Sequence, residues 1–296
     1  MNTRKSYWAG IALLLILPWC ASAGAAQSDD PADQEIVIGW TAWADTEFVT
    51  KLAERAIEKY SDYEVTLRMA NIAVQYQGVA EGSLDGMLMA WLPDTHADYW
   101  QRVKDDVDDL GPLYSGAQMG WAVPAYVPES ELGSIADLNK PEVRAKLKGR
   151  IQGIDPGAGE MQISQKMLSA YDLKDYRLVA SSDAAMTAAL ARAIKRKEWI
   201  VATVWTPHWI FGRWDLRFLD EPKQMLGNPQ HVDALVRKGF KTDYPEIATF
   251  FTNMNFPLDE LQRAMMAAQE DGINTAIDDY MNTHEAEIKS WFAEAG

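Results

Sequence analysis

The chain has 296 residues, 48% of them hydrophobic and 24% charged, the balance of a folded globular protein with room for two domains and not of a disordered or fibrous chain. Its 28 Lys and Arg against 43 Asp and Glu give a net charge of −15, and no basic run is long enough to neutralise a row of phosphates, which excludes nucleic acid as a partner. A single cysteine, Cys20, excludes an internal disulfide and a multi-cysteine metal site, and twelve tryptophans are left for a physical account.

At the start of the chain Arg4 and Lys5 precede an apolar run from Trp8 to Trp19, and Ala21-Ser22-Ala23 offers small side chains at a cleavage position. The run is shorter than the roughly 20 residues a spanning helix needs, so residues 1–23 are predicted to be a cleaved signal peptide. Pro18 and Trp19 stand where small residues precede a lipidated cysteine, which argues against a lipid anchor at Cys20. Cleavage removes Arg4, Lys5 and Cys20, takes the net charge from −15 to −17, and predicts a periplasmic protein held together without a thiol.

Residues 36–40 are a short β-branched run, Asp45 is placed to cap a helix reaching Tyr60, residues 64–69 alternate with period two, and residues 87–91 follow a Gly-bounded turn. Residues 119–127 are predicted to be extended, because Pro124 and Pro128 break any helix there. A second series has strands at 150–154, 176–180 and 199–205 and helices at 159–171 and 183–195. From Val236 onward the pattern is helical, in segments 244–251, 258–269, 272–282 and 285–293. Strands alternating with helices predict an α/β fold of two lobes, each a mostly parallel sheet flanked by helices. With crossings near 115–125 and 230–238, lobe I takes 34–116 plus 237–296 and lobe II takes 117–236. Ligands of open α/β sheets bind beyond the carboxyl ends of the strands, which here becomes a cleft between the lobes.

The tryptophans fall at those ends. Trp40 and Trp43 follow the first strand, Trp91 ends the third, and Trp205 with Trp209 ends the last strand of the second series. Aromatic faces converging there suit a quaternary ammonium group, which has no N–H to donate and is held by cation–π attraction. Packing between lobes explains the same positions equally well on location alone. Gly157 and Gly159 lie between a strand and a helix, where free amides and the helix dipole attract an anion, or where they simply make a tight turn. His96, five residues past Trp91, is able to donate to a carboxylate. His208, His231 and His284 read as structural, and Trp121 reads equally as a fourth wall or as crossover packing.

The segments GWTAWADTEF, AWLPDTH, QMGWAVPAYV, GIDPGAGEM, VWTPHWIF and LVRKGF resemble the substrate-binding proteins of glycine betaine ABC importers, over nearly all of residues 36–292. The resemblance implies a two-lobe periplasmic binding protein fold, type II-like, that works as a monomer without a cofactor and delivers its ligand to an ABC permease. It implies a prism of Trp43, Trp91 and Trp205 around a trimethylammonium group, with the carboxylate of the zwitterion held by His96 and the amides of Gly159 and Glu160. Carnitine, choline or dimethylsulfoniopropionate fit the same resemblance, as does a chemoreceptor in place of the permease. Glu160 departs from the apolar residue expected at its position, so its side chain is expected to point away and only its amide to contribute. Asp45 is the residue expected to accept a choline hydroxyl, if it does not cap its helix. Catalysis finds no support in the residues: no nucleophile elbow and no close histidine spacing are present, and pairing Asp155 with Glu160 is arbitrary among so many acids.

Overall fold

The computed structural model describes residues 35–293, so the predicted signal peptide and Cys20 lie outside the described residues. The first series is β1 (Glu35–Trp40), α1 (Ala44–Tyr60), β2 (Glu64–Met69), α2 (Ile72–Glu81), β3 (Gly86–Leu92) and α3 (Ala97–Val103). In α1, Phe48, Val49, Leu52, Ala53, Ala56 and Ile57 recur at helical spacing and are buried, which fixes the face turned to the sheet. Asn71 caps α2 by accepting from the Val74 amide at 3.1 Å, and Gly82 closes it in the left-handed region at φ 73°. β3 is buried along its whole length.

β4 (Val107–Pro124) then carries the chain into the second series: α4 (Pro141–Leu147), β5 (Arg150–Gln152), α5 (Gly159–Ala170), β6 (Arg177–Val179), α6 (Asp183–Arg196), β7 (Ala202–Thr206), α7 (Ile210–Arg213) and β8 (Leu216–Phe218). The return is made by β9 (Gln230–Arg237), followed by α8 (Phe240–Asp243), α9 (Pro245–Asn253), α10 (Leu258–Asp271), α11 (Ile273–Thr283) and α12 (Glu285–Trp291). The strand order is β2-β1-β3-β9-β4-β7-β5-β6, with β8 on β4. Strands linked by helices pair in parallel, β1 with β2 and β3, and β5 with β6 and β7. The strands that carry the chain between the halves run antiparallel to their neighbours and make the sheet mixed: residues 107–117 of β4 pair with β9, and residues 118–124 pair with β7 and β8.

The extended stretch expected at 119–127 is thus the end of a strand that begins twelve residues earlier, at Val107. β9 was expected only as a crossing, because its five residues from Val232 to Val236 are all buried and include Asp233, so neither alternation nor an apolar run announces a strand. Asp233 is tolerated there because its carboxylate meets His231 Nδ1 at 2.5 Å. The segments behind each half-sheet fill two clusters. The larger spans the first series and the C-terminal helices and continues into the second series through Ile154, Met161, Met186, Val204 and Trp205, and the smaller one gathers Trp121, Ile135, Val143, Ile151 and Tyr171.

Candidate functional site

A cavity with about 280 Å3 of atom-free space, counting its mouth, lies where the strands of both halves end. Trp43, Trp91 and Trp205 all line it, and each is positioned by a different strand end. Trp43 precedes α1 and turns back over the cleft; its ring lies 6.3 Å from that of Trp205, at 58°. Its indole Nε1 donates to Asp155 Oδ2 at 2.8 Å, which leaves the ring face free while fixing its tilt. Trp91 stands opposite Val232 in the β3–β9 ladder and Trp205 opposite Met119 in the β4–β7 ladder, so both are set by sheet register. Both strands leave the site through a cis proline, Leu92–Pro93 and Thr206–Pro207.

The other end of the cavity is rich in hydrogen-bond donors. His96 is 1% exposed, and its Nδ1 accepts from the Trp91 amide at 3.1 Å while its own amide donates to the Trp91 carbonyl at 2.9 Å. Burial lowers its pKa to about 3, so the ring is neutral, and with Nδ1 occupied as an acceptor the proton resides on Nε2. Opposite stands the first turn of α5. No side chain caps that helix, and the amide of Gln162 is the first to reach back to a carbonyl of the turn, that of Ala158, so the amides of Gly159 and Glu160 remain available. Gly159 is required by proximity: a Cβ there would stand 2.3 Å from the Thr95 carbonyl oxygen and 2.9 Å from His96 Cδ2.

Glu160 also lines the cavity and is 2% exposed. The sequence expectation that its side chain points away does not describe a solvent-facing group: neither carboxyl oxygen has a hydrogen-bond partner. Burial pushes its pKa well above the usual carboxylate range, against the opposing pull of the nearby Val204 backbone, which lies outside hydrogen-bonding geometry. The indole Nε1 of Trp205 is likewise buried and unpaired.

Asp45 is a correction. The cap position of α1 is Trp43, and Asp45 lies inside the first turn, fully buried, where its Oδ2 accepts from the Tyr114 hydroxyl at 2.7 Å. It neither caps the helix nor lines the cavity, because the turn from Trp43 to Ala44 aims it at β4. Trp40, Trp121 and Trp209 are absent from the lining as well; Trp121 is fully buried and donates to Ser164 Oγ at 2.8 Å, which is packing and not a wall. Spacing also missed the bonds that hold the two sides together. Asp183 accepts from the Ala44 amide at 3.1 Å and faces His208 Nε2 at 3.1 Å, and His208 sets its ring edge against Trp205 at 4.7 Å. Tyr99 donates to the Gly157 carbonyl at 2.7 Å.

A family model for the substrate-binding domain of ABC-type glycine betaine transport systems matches residues 34–283. The glycine betaine/carnitine transport binding protein GbuC of Listeria monocytogenes is 35% identical over 156 residues, 51% of this chain and 52% of that protein, so the match spans about half of the relative's length. Lactococcal OpuAC, solved closed with glycine betaine, is 35% identical with a TM-score of 0.81, over 88% of this chain and 100% of that one. The glycine betaine/L-proline-binding protein ProX of Borrelia burgdorferi is 30% identical with a TM-score of 0.82, over 88% and 97%. The fold shared with both is the two-lobed α/β fold of periplasmic binding proteins.

Proposed function

The chain belongs to the family of substrate-binding domains of ABC-type glycine betaine transport systems, and from that premise we propose that it is a periplasmic protein that closes on a trimethylammonium zwitterion, glycine betaine before others, and presents it to an ABC permease. The observation that carries this reading is the cavity itself: three tryptophans from both half-sheets at one end, and an uncapped helix start with a neutral histidine at the other. In it, Trp43, Trp91 and Trp205 receive the trimethylammonium group, and His96 Nε2–H with the amides of Gly159 and Glu160 receives the carboxylate. Each desolvated cation–π contact contributes about 0.5 to 2 kcal/mol and charge-assisted hydrogen bonds about 1.5 to 3 each, against the roughly 8 kcal/mol of a micromolar complex.

In this reading the lobes are residues 34–116 with 237–296 and residues 117–236, and the support is that β4 changes partners between Ala117, paired with β9, and Gln118, paired with β7, while β9 itself pairs only with β3 and with the first part of β4. The contacts from Trp43 to Asp155, Ala44 to Asp183 and Tyr99 to Gly157 are made only when the lobes meet, which supports a closed state as the one described. The ligand is neutral overall, so the acidic surface serves solubility and docking and does not steer capture. The relatives that share this fold are named for glycine betaine and for carnitine, which supports the same ligand class here. Titration calorimetry of residues 24–296 with glycine betaine, carnitine, choline and dimethylsulfoniopropionate tests the proposal. Glycine betaine is expected to bind tightest, near micromolar, and absence of heat with every one of the four overturns the reading.

A further inference from the structure

Among the groups that line the cavity, every free polar hydrogen belongs to a donor that cannot accept. His96 has spent Nδ1 on the Trp91 amide, the amides of Gly159 and Glu160 are uncapped, and Trp205 Nε1 is buried without a partner. Besides the Thr95 hydroxyl, whose proton is directed at Met119 Sδ at 3.4 Å, the group there able to change from acceptor to donor is the carboxyl of Glu160, whose two oxygens are buried and unpartnered. An ionised carboxylate in that position would forfeit its hydration for nothing, at a cost of several kcal/mol, and would repel the anionic end of a zwitterion. A carboxylic acid carries one O–H donor and meets the same anion as one more hydrogen bond.

We infer that Glu160 is a specificity-determining residue that acts as a neutral acid, donating its proton in a hydrogen bond to the ligand carboxylate and so favouring trimethylammonium zwitterions over trimethylammonium alcohols. The inference rests on the trimethylammonium reading of the site. No bond is made or broken; the proton stays on Glu160 and is shared with the ligand oxygen. A cationic ligand without a carboxylate offers no acceptor for the Glu160 proton and leaves the His96, Gly159 and Glu160 donors unpaired.

The sign of the pH dependence follows. Burial holds the Glu160 carboxyl well above its usual range, which extends the protonated form to higher pH than in a free carboxyl, and the proton is lost as pH rises through the raised value. Affinity for the zwitterion is then full at low pH and declines on the alkaline side. The other titratable lining residue, His96, lies at about 3 and keeps its charge state across that range. The charged or titratable groups next out are Asp155 behind Trp43, Asp183 and His208 behind Trp205, and Tyr99 against Gly157, and a Glu160→Gln control carries all of them unchanged.

The experiment measures glycine betaine and choline affinity from about pH 6 to about pH 9 for wild type, Glu160→Gln and Glu160→Leu. Any change in wild-type betaine affinity is expected as a loss on the alkaline side, since deprotonation of Glu160 removes a charged hydrogen bond and adds a repulsion. Glu160→Gln keeps a donor, stays within a few-fold of wild type at the acidic end and is independent of pH; Glu160→Leu binds betaine about tenfold more weakly than wild type does at the acidic end and is likewise independent of pH; choline is nearly indifferent to both. Infrared difference spectra of wild type on adding betaine, with Glu160→Gln as the blank, should contain a perturbed protonated-carboxyl band even if the leucine variant folds poorly. Betaine affinity in Glu160→Leu equal to that of wild type at the acidic end, no such band, or choline binding that collapses in Glu160→Gln each overturns the inference while leaving the trimethylammonium reading standing. Failure of wild type to bind any trimethylammonium compound removes both.

Discussion

The two ends of the cavity are built by different means. At the aromatic end three indoles arrive from three strand ends, and each is held by sheet register or by a bond at its rim, as Trp43 is by Asp155. At the donor end one turn and one helix start supply backbone amides and a histidine whose tautomer is fixed by the neighbouring strand. Cation–π attraction falls off gently with angle and tolerates a few tenths of an ångström, whereas hydrogen bonds weaken steeply when bent. In the proposed site the aromatic end would therefore supply affinity that survives small errors, and the donor end discrimination that does not. Gly159 belongs to both, because it lets α5 approach Thr95 and His96 closely enough for the cavity to close.

The largest effect is expected where both ends fail together. Gly159→Ala places a methyl 2.3 Å from a backbone oxygen that cannot rotate away, and overpacking of that kind costs about 1 to 3 kcal/mol. Betaine and choline affinity should both drop by about a hundredfold, and small-angle scattering at saturating ligand should give a larger radius of gyration than wild type. Retention of closure and affinity would show that the lobes meet elsewhere. Trp43→Ala, Trp91→Ala and Trp205→Ala come next: each should weaken both ligands by about tenfold or more, measured by calorimetry, since the cation they share is the same. A variant that binds as wild type does removes that indole from the cage. The smallest and most selective effect belongs to His96→Ala, which should cost betaine about tenfold while choline changes little, because only the carboxylate uses the Nε2 proton. Equal losses for both ligands would dissolve the distinction between the two ends.

The strands that helices connect were legible because local periodicity specifies them, and of the five tryptophans read at strand ends Trp43, Trp91 and Trp205 line the cavity while Trp40 and Trp209 do not, so position at a strand end narrows the choice without making it. β9 was not, since a central strand buried on both faces with Asp233 in its middle carries no pattern that reads as a strand. The partners of the site escaped for a related reason: Asp155 reaches Trp43 across 112 residues and Asp183 reaches the Ala44 amide across 139, and no spacing rule spans such separations. Asp45 misled because an aspartate at a helix start ordinarily caps it, and only the path of the chain at Trp43 decides that Tyr114 is its partner instead. Glu160 was hidden by the same logic in reverse. An acid in the first turn of a helix is expected to complement the dipole from solvent, and nothing local says that this one is enclosed.

Trp91 and His96 are tied to each other by two backbone-anchored hydrogen bonds within a single turn, one in each direction. Their spacing is consequently set before any partner lobe arrives. In the proposed cycle a solute entering the open cleft meets one aromatic face and one donor already at working separation, so encounter is fast and needs no prior rearrangement. Trp205, Gly159 and Glu160 are on the other half and join later, together with the bonds from Trp43 to Asp155 and from Ala44 to Asp183. Arrival and residence are thereby assigned to different parts of one small cavity: the β3 turn governs how often a ligand is caught, and the opposing half governs how long it stays for a permease to collect.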